Sequence, residues 1–345
     1  MAVNLRDVAR RAGVSVPTAS RVLSGSDYAV RPELRARVEQ AARELHYVPN
    51  AHARALLGGN LATVGVLAGD VGDPYFSQII DGVQELASRH RLLVTICNTG
   101  RDVDRELEYL TLLHTHRTGV IIIAGSELVD ERYRTGLRER VRAYLTTGGR
   151  VVAIGHPDLD VDGVLVDNAR GARELGEHLA ALGHREVGVL AGIANLTSTI
   201  DRIDGLRTAL EARGGTVHVR HVPATRDGGR DGAAQLLAEH PGITALVGTA
   251  DQMAVGAMAH LRANDVDVPG RVSVAGFNDI LIAQDVTPPL TTVRLPLEDM
   301  GATALRLAMD TAGSDVPRTR RLTPQLVVRC STGPAATSDA TRRTS

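Results

Sequence analysis

The chain has 345 residues, 43% of them hydrophobic and 23% charged, which excludes a disordered, collagen-like or small disulfide-stapled chain and suggests two to three domains. Its 39 basic residues, all arginine, face 40 acids. Residues 1–60 carry nine arginines against five acids, leaving 30 against 35 in the remainder. A basic head on an acidic body points to a nucleic-acid contact at the head.

The head, residues 1–48, reads as short helices. Asn4 caps the first, with Asp7 completing a capping-box pattern, and Leu5, Val8, Ala9 and Ala12 share one face. Gly13 supplies the positive φ of a tight turn. Ser15 caps the second helix and Pro17 sits in its first turn, where a missing N–H costs nothing. Ala19, Val22 and Leu23 point inward, leaving Val16, Pro17, Thr18, Ser20 and Arg21 outward. A third helix carries Leu34, Val38, Ala41, Ala42 and Leu45 on one face. This pattern is a helix-turn-helix whose second helix can enter a major groove, Arg21 gripping guanine and Thr18 and Ser20 reaching phosphates. A generic three-helix bundle with a solvated polar face would share it.

Residues 49–61 form a joint. Ala51 to Leu57 allows about two helical turns between an Asn50 cap and a Gly58-Gly59 stop, too short to be stable alone in water. From 62 to 333, strand-like runs (62–68, 92–97, 119–124, 151–154, 164–166, 187–191, 245–248 and 272–275) alternate with amphipathic stretches. That rhythm predicts parallel sheets covered by helices, divided into two lobes, with ligand beyond the carboxyl ends of the strands. Residues 334–345 read as a small, polar, disordered tail.

No run approaches the roughly 18 uncharged apolar residues of a membrane span, and Met1 to Asp7 contains no apolar signal core, so a cytoplasmic protein without membrane contact is expected. Cys97 and Cys330 read as buried reduced thiols. The two phenylalanines, Phe76 and Phe277, are expected in loops after strands, where they either stack on a ligand or pack a helix N-terminus. Asp167 and Asn278, at strand ends, are candidate ligand acceptors or helix caps. Phosphate-loop, dinucleotide and nucleophile-elbow motifs are missing, so neither catalysis nor a cofactor is expected. His114 and His116 lack a nearby third metal ligand, and Asp158, Asp160 and Asp162 read as a solvated turn.

The run from Leu5 to Ser15, followed by Thr18-Ala19-Ser20-Arg21-Val22-Leu23, resembles the DNA-binding head of the lactose-repressor (LacI/GalR-type) family. Leu45-His46-Tyr47-Val48-Pro49-Asn50, with Ala53, Arg54 and Leu56, resembles the end of that head and its hinge helix. The resemblance runs from Leu5 to about Gly333, and the body is similar to type I periplasmic sugar-binding proteins. It implies an α/β chain: an all-α helix-turn-helix head joined by a hinge helix to a two-lobed, parallel-sheet type I periplasmic-binding-protein-like domain. It further implies a homodimer on a palindromic operator in double-stranded DNA. There, Asn50, Ala53 and Arg54 join the contact and paired hinge helices push Leu56 into the central base step. The implied function is repression of carbohydrate uptake or catabolism genes under control of a small-molecule effector, a sugar.

The same resemblance assigns ligand contacts to Asp73, Tyr75, Phe76, Asp167, Ser198, Arg202, Ala250, Phe277 and Asn278. Arg202 matches the family's ligand-binding arginine; an inter-loop salt bridge is its bland alternative. The sequence departs from the family at Val16 and Pro17, which donate no side-chain hydrogen bond to bases. It departs again at Asn278, where relatives carry aspartate; at Ala250, where they carry a polar residue; and near Ala224, where they carry an aromatic wall. These changes suit a wider cleft for an oligosaccharide, or an anionic metabolite held with help from Arg226. A regulator answering to a protein partner and, more remotely, a solute-binding protein are the competing readings.

Overall fold

The computed structural model describes residues 3–24, 30–47, 63–310 and 316–336. It divides into two compact units, with the boundary between Ala62 and Thr63.

The first unit holds α1 (Leu5–Ala12), α2 (Val16–Ser24) and α3 (Pro32–Glu44). Val8, Ala9 and Ala12 of α1 pack with Ala19 and Val22 of α2 and with Val38, Ala41 and Ala42 of α3. The core is made of small residues, so the helices pack closely.

In the second unit, β1 (Thr63–Ala68), α4 (Pro74–Arg89), β2 (Leu93–Asn98), α5 (Val103–Thr115), β3 (Val120–Ala124), α6 (Glu131–Thr146), β4 (Arg150–Ile154) and β5 (Asp162–Val166) build the first lobe. The second lobe follows: α7 (Asn168–Ala181), β6 (Glu186–Ala191), α8 (Thr197–Glu211), β7 (Thr216–His221), α9 (Arg226–Glu239), β8 (Ala245–Gly248), α10 (Asp251–Ala263), β9 (Ser273–Asn278), α11 (Ile282–Asp285) and β10 (Thr291–Arg294). Then α12 (Leu297–Met309) returns to pack on α4, β11 (Thr319–Leu322) joins the first sheet and β12 (Gln325–Val327) the second. The two six-stranded sheets run β11-β5-β4-β3-β1-β2 and β12-β10-β9-β8-β6-β7, parallel throughout except for the β10–β12 pair. The chain therefore crosses between lobes three times, after β5, after β10 and after β11.

Central strands are buried on both faces and read as unbroken apolar runs, as in β3, where all five residues are buried. Four strands lack such runs and escape the sequence pattern. β7 interleaves His218 and Arg220 with valines; β11 and β12 are short edge strands. β10 buries Thr291 and Thr292 completely, their hydroxyls donating to Arg329 O (3.2 Å) and Asp251 Oδ1 (2.5 Å). Edge position also corrects the expectation for the cysteines. Cys97 lies in edge strand β2 and is only partly buried, and Cys330, just past edge strand β12, is exposed.

The presumed tail also begins too early at Pro334, because the Ala335 N–H donates to Leu182 O at 2.8 Å and ties the chain to the second lobe. Asp162 is no solvated turn residue: it accepts from the Arg318 guanidinium, with Nη2–Oδ2 at 2.6 Å, and fastens β5 beside β11. His114 faces Thr147 and the edge of the Tyr144 ring. Among the described residues, no helix is long and apolar enough to cross a membrane, and no cluster of three or more His, Cys, Asp or Glu is arranged to hold a metal.

Candidate functional site

The head is built as its capping residues require. Asn4 Oδ1 accepts from the N–H groups of Arg6 (2.9 Å) and Asp7 (3.3 Å), and the Asp7 carboxylate accepts in return from the Asn4 N–H (3.1 Å). Gly13 closes α1 at φ +64°, and a side chain there would meet Arg37. Ser15 Oγ accepts from the Thr18 N–H and lies 2.8 Å from Thr18 Oγ1, so the Thr18 hydroxyl helps to start α2. Val16, Pro17 and Arg21 are exposed, and Thr18 and Ser20 are half-buried. Together they form one face of α2 opposite buried Ala19 and Val22, the arrangement a groove-reading helix needs. Asn50, Ala53, Arg54 and Leu56 lie outside the described residues.

In the body, a cavity of ≈ 950 Å³, open mouth included, lies between the carboxyl ends of both sheets. Gly69, Thr99 and His156 reach it from the ends of β1, β2 and β4, and Gly192, Thr249 and Asn278 from β6, β8 and β9. Arg202 on α8 is its chief cation. The side chain is only 7% exposed, and its guanidinium stacks on the Phe277 ring at 4.0 Å. Nε donates to Asn168 Oδ1 (3.0 Å) and Nη1 to Thr249 O (2.5 Å), and among the described residues no carboxylate lies within ion-pair distance. Burial pulls its pKa down to about 10, so it stays charged. Among the described residues it forms no inter-loop salt bridge.

The other sequence-predicted residues separate into two groups. Asp73, Tyr75, Phe76, Ser198, Ala250 and Asn278 line the cavity with Arg202. Phe277 and Asp167 do not. Phe277 lies inside β9 rather than in the loop beyond it, is fully buried, and supports Arg202 from behind. Asp167 caps α7, accepting from the Arg170 N–H at 3.0 Å. Phe76 belongs to the first turn of α4, because Asp73 and Pro74 start that helix at once; Asp73 caps the Tyr75 N–H and pairs with Arg101 at 2.8 Å. Asn278 is 5% exposed, at φ +117°, and its Oδ1 has no hydrogen-bond partner. Arg226 is not among the lining residues; its side chain is 59% exposed beside Asp227.

Several features gave no sequence signal. Glu106 and Tyr133 line the first-lobe wall, where the Tyr133 hydroxyl donates to Glu106 Oε1 at 2.7 Å. The lobes also touch through backbone: Val129 N–H donates to Asn195 O (2.7 Å) and Thr197 N–H to Glu127 O (2.9 Å), flanking a bridge between Leu128 and Leu196. Gln252 Nε2 adds a contact to Asp73 Oδ1 at 3.3 Å.

His156 is 4% exposed, and its Nδ1 lacks a partner. Burial, helped by the charge of Arg134, pushes its pKa down to about 4. Below pH 6.5 the unfolded chain takes up a proton that the folded chain refuses until about pH 4, so stability present above pH 6.5 is lost as pH falls. Wild type should therefore lose about 2 kcal/mol relative to His156→Gln between pH 7 and 4.5, measured by urea denaturation. A pH-independent difference would show an imidazole that ionises normally.

Comparison with known proteins agrees with this architecture. Residues 4–50 match the family described as bacterial regulatory proteins, lacI family, and residues 177–332 match the periplasmic binding protein-like domain. The chain is 31% identical to the HTH-type transcriptional regulator DegA of Bacillus subtilis over 98% of its own length and all of the relative's. It is 34% identical to the regulator GalS of Salmonella typhimurium, covering 95% of this chain and 96% of that one. The Lac repressor dimer, solved with operator and the anti-inducer ONPF, superposes with a TM-score of 0.85 at 27% identity, over 96% of this chain and all of the repressor. With helix-turn-helix, two-lobed body and full-length relatives in agreement, the chain belongs to the lacI family of helix-turn-helix transcriptional regulators.

Proposed function

We propose that the protein is a homodimeric repressor that reads a palindromic operator with α2 and answers to an uncharged, polyhydroxylated effector, a sugar, in the inter-lobe cavity. It acts in the cytoplasm as a binding protein rather than a catalyst. Arg202 carries the effector assignment: a desolvated fork of donors, with Nη2 left over after its bonds to Asn168 and Thr249, suits the oxygens of a sugar. Asn278 Oδ1 supplies a waiting acceptor for a hydroxyl. An anionic effector is disfavoured because Arg101 is already paired with Asp73 and Arg226 points elsewhere. For the dimer, edge strand β2 presents Leu93, 65% exposed, and Ile96 to a second copy.

Control works through the joint. Residues 49–61 lie outside the described residues; we infer that a ligand with different affinities for the operator-competent and operator-incompetent states shifts the population between them through this joint. Selection from a random duplex pool at fixed moderate salt should enrich a two-fold symmetric site with a flexible pyrimidine–purine centre. An enriched site without two-fold symmetry would refute the dimeric reading. Leu56→Ala should weaken binding to that site about tenfold or more, through loss of the unstacking wedge, while effector affinity stays unchanged. Equal operator affinity in an anisotropy titration would rule the wedge out.

A further inference from the structure

The first-lobe wall of the cavity holds a second polar site, distinct from the Arg202 end. Glu106 comes from the first turn of α5, beyond β2, and Tyr133 from the first turn of α6, beyond β3. These strands flank β1, so the two side chains close over its carboxyl end. Tyr133 is 2% exposed and spends its only proton on Glu106 Oε1 at 2.7 Å. No cation lies within ion-pair distance of Glu106 among the described residues, and its carboxylate lines the cavity with Oε2 left as an acceptor; burial raises the carboxyl's pKa. His156 lines the same wall with a buried, unpartnered Nδ1, held neutral. Val103 and Leu128 supply apolar surface beside them.

Across the cavity, Arg202, Ser198 and the unpartnered Asn278 Oδ1 form the second-lobe end. A ligand confined to that end would leave the Glu106 carboxylate and the buried, unpartnered His156 Nδ1 without a ligand group to meet them. The cavity is lined from both lobes, by Thr99, Glu106, Tyr133 and His156 on one side and by Ser198, Arg202 and Asn278 on the other, so a ligand that meets both groups must span it.

We propose that Glu106, positioned by Tyr133, and His156 form a distal subsite that binds the hydroxyls of a second sugar ring, so that the effector is a disaccharide or longer. The inference rests on the sugar reading above. Apolar Val103 and Leu128 take the ring's C–H face, Glu106 accepts from its hydroxyls, and Arg202 and Asn278 hold the proximal ring.

The test is calorimetric titration of the full-length protein with glucose, galactose and fructose, and with cellobiose, maltose, lactose, sucrose and trehalose. At least one disaccharide should bind tenfold or more tighter than either of its component monosaccharides. Glu106→Gln should cut that ratio at least fivefold, and Tyr133→Phe should lower it as well. Sugars that bind without any disaccharide advantage overturn the subsite and leave the sugar reading standing. A ratio that survives Glu106→Gln in a folded variant overturns the role of Glu106. Failure of all eight sugars to bind removes the sugar reading and this inference with it. The wild-type comparison decides the effector's length even if the variants do not fold.

Discussion

Replacing Arg202 with leucine is expected to weaken effector binding at least about 30-fold, because a buried, charge-assisted donor to a ligand is worth about 2–5 kcal/mol when truncated. The side chain is placed by three independent restraints: the Phe277 ring beneath it, Asn168 Oδ1 at Nε and Thr249 O at Nη1. Orienting the guanidinium costs the ligand little, so most of the interaction appears as affinity. The substitution also strands two acceptors, which should lower stability by about 1–3 kcal/mol. Calorimetry on a variant whose melting curve remains cooperative separates the two effects. A loss of less than fivefold would mean that the cation does not touch the effector.

The second large effect concerns packing. Gly256 on α10 faces the backbone of α9, and a Cβ there would come within 1.9 Å of Arg226 O and 2.7 Å of Arg230 N. Backbone cannot rotate away as a side chain can, so Gly256→Ala must part the two helices. A loss of about 3 kcal/mol or more is expected, at the upper end of overpacking costs. Gly242→Ala is the matched control: its nearest neighbour is Glu186 Cγ at 3.7 Å, and its cost should stay within about 0.5 kcal/mol. Because Ala250 and Met253, at the start of α10, line the cavity, Gly256→Ala should weaken effector binding as well as stability. Urea denaturation checks the prediction; a loss under 1 kcal/mol would contradict the close α9–α10 contact.

Local chemistry was readable where a residue acts on its own neighbours in the chain. Asn4 with Asp7, Gly13 and Ser15 each do what their side chains imply, since caps and tight turns are decided within three or four residues. The central strands were legible because burial on both faces forces continuous apolar runs. The cleft was only half legible. Arg202 and the Asp73–Phe76 run stand out through family resemblance, but Phe277 and Asp167 were assigned to the ligand and serve as support and cap instead. Nothing local distinguishes an aromatic ring that faces a cavity from one a strand position deeper. Glu106 and Tyr133 are 27 residues apart and meet only because β2 and β3 flank β1 in the sheet. The Val129–Asn195 and Thr197–Glu127 bonds are invisible for a simpler reason: backbone contacts between lobes require no particular side chain.

If the proposed function holds, ligand in the cleft governs operator binding. The most direct measurement is a fluorescence-anisotropy titration of the selected operator duplex with full-length protein, at constant salt, with and without a saturating sugar that binds by calorimetry. The predicted result is a shift of at least tenfold in operator affinity for the wild-type protein and no shift for Arg202→Leu at the same sugar concentration. An operator affinity that does not move when the cavity of the wild-type protein is occupied would contradict the account.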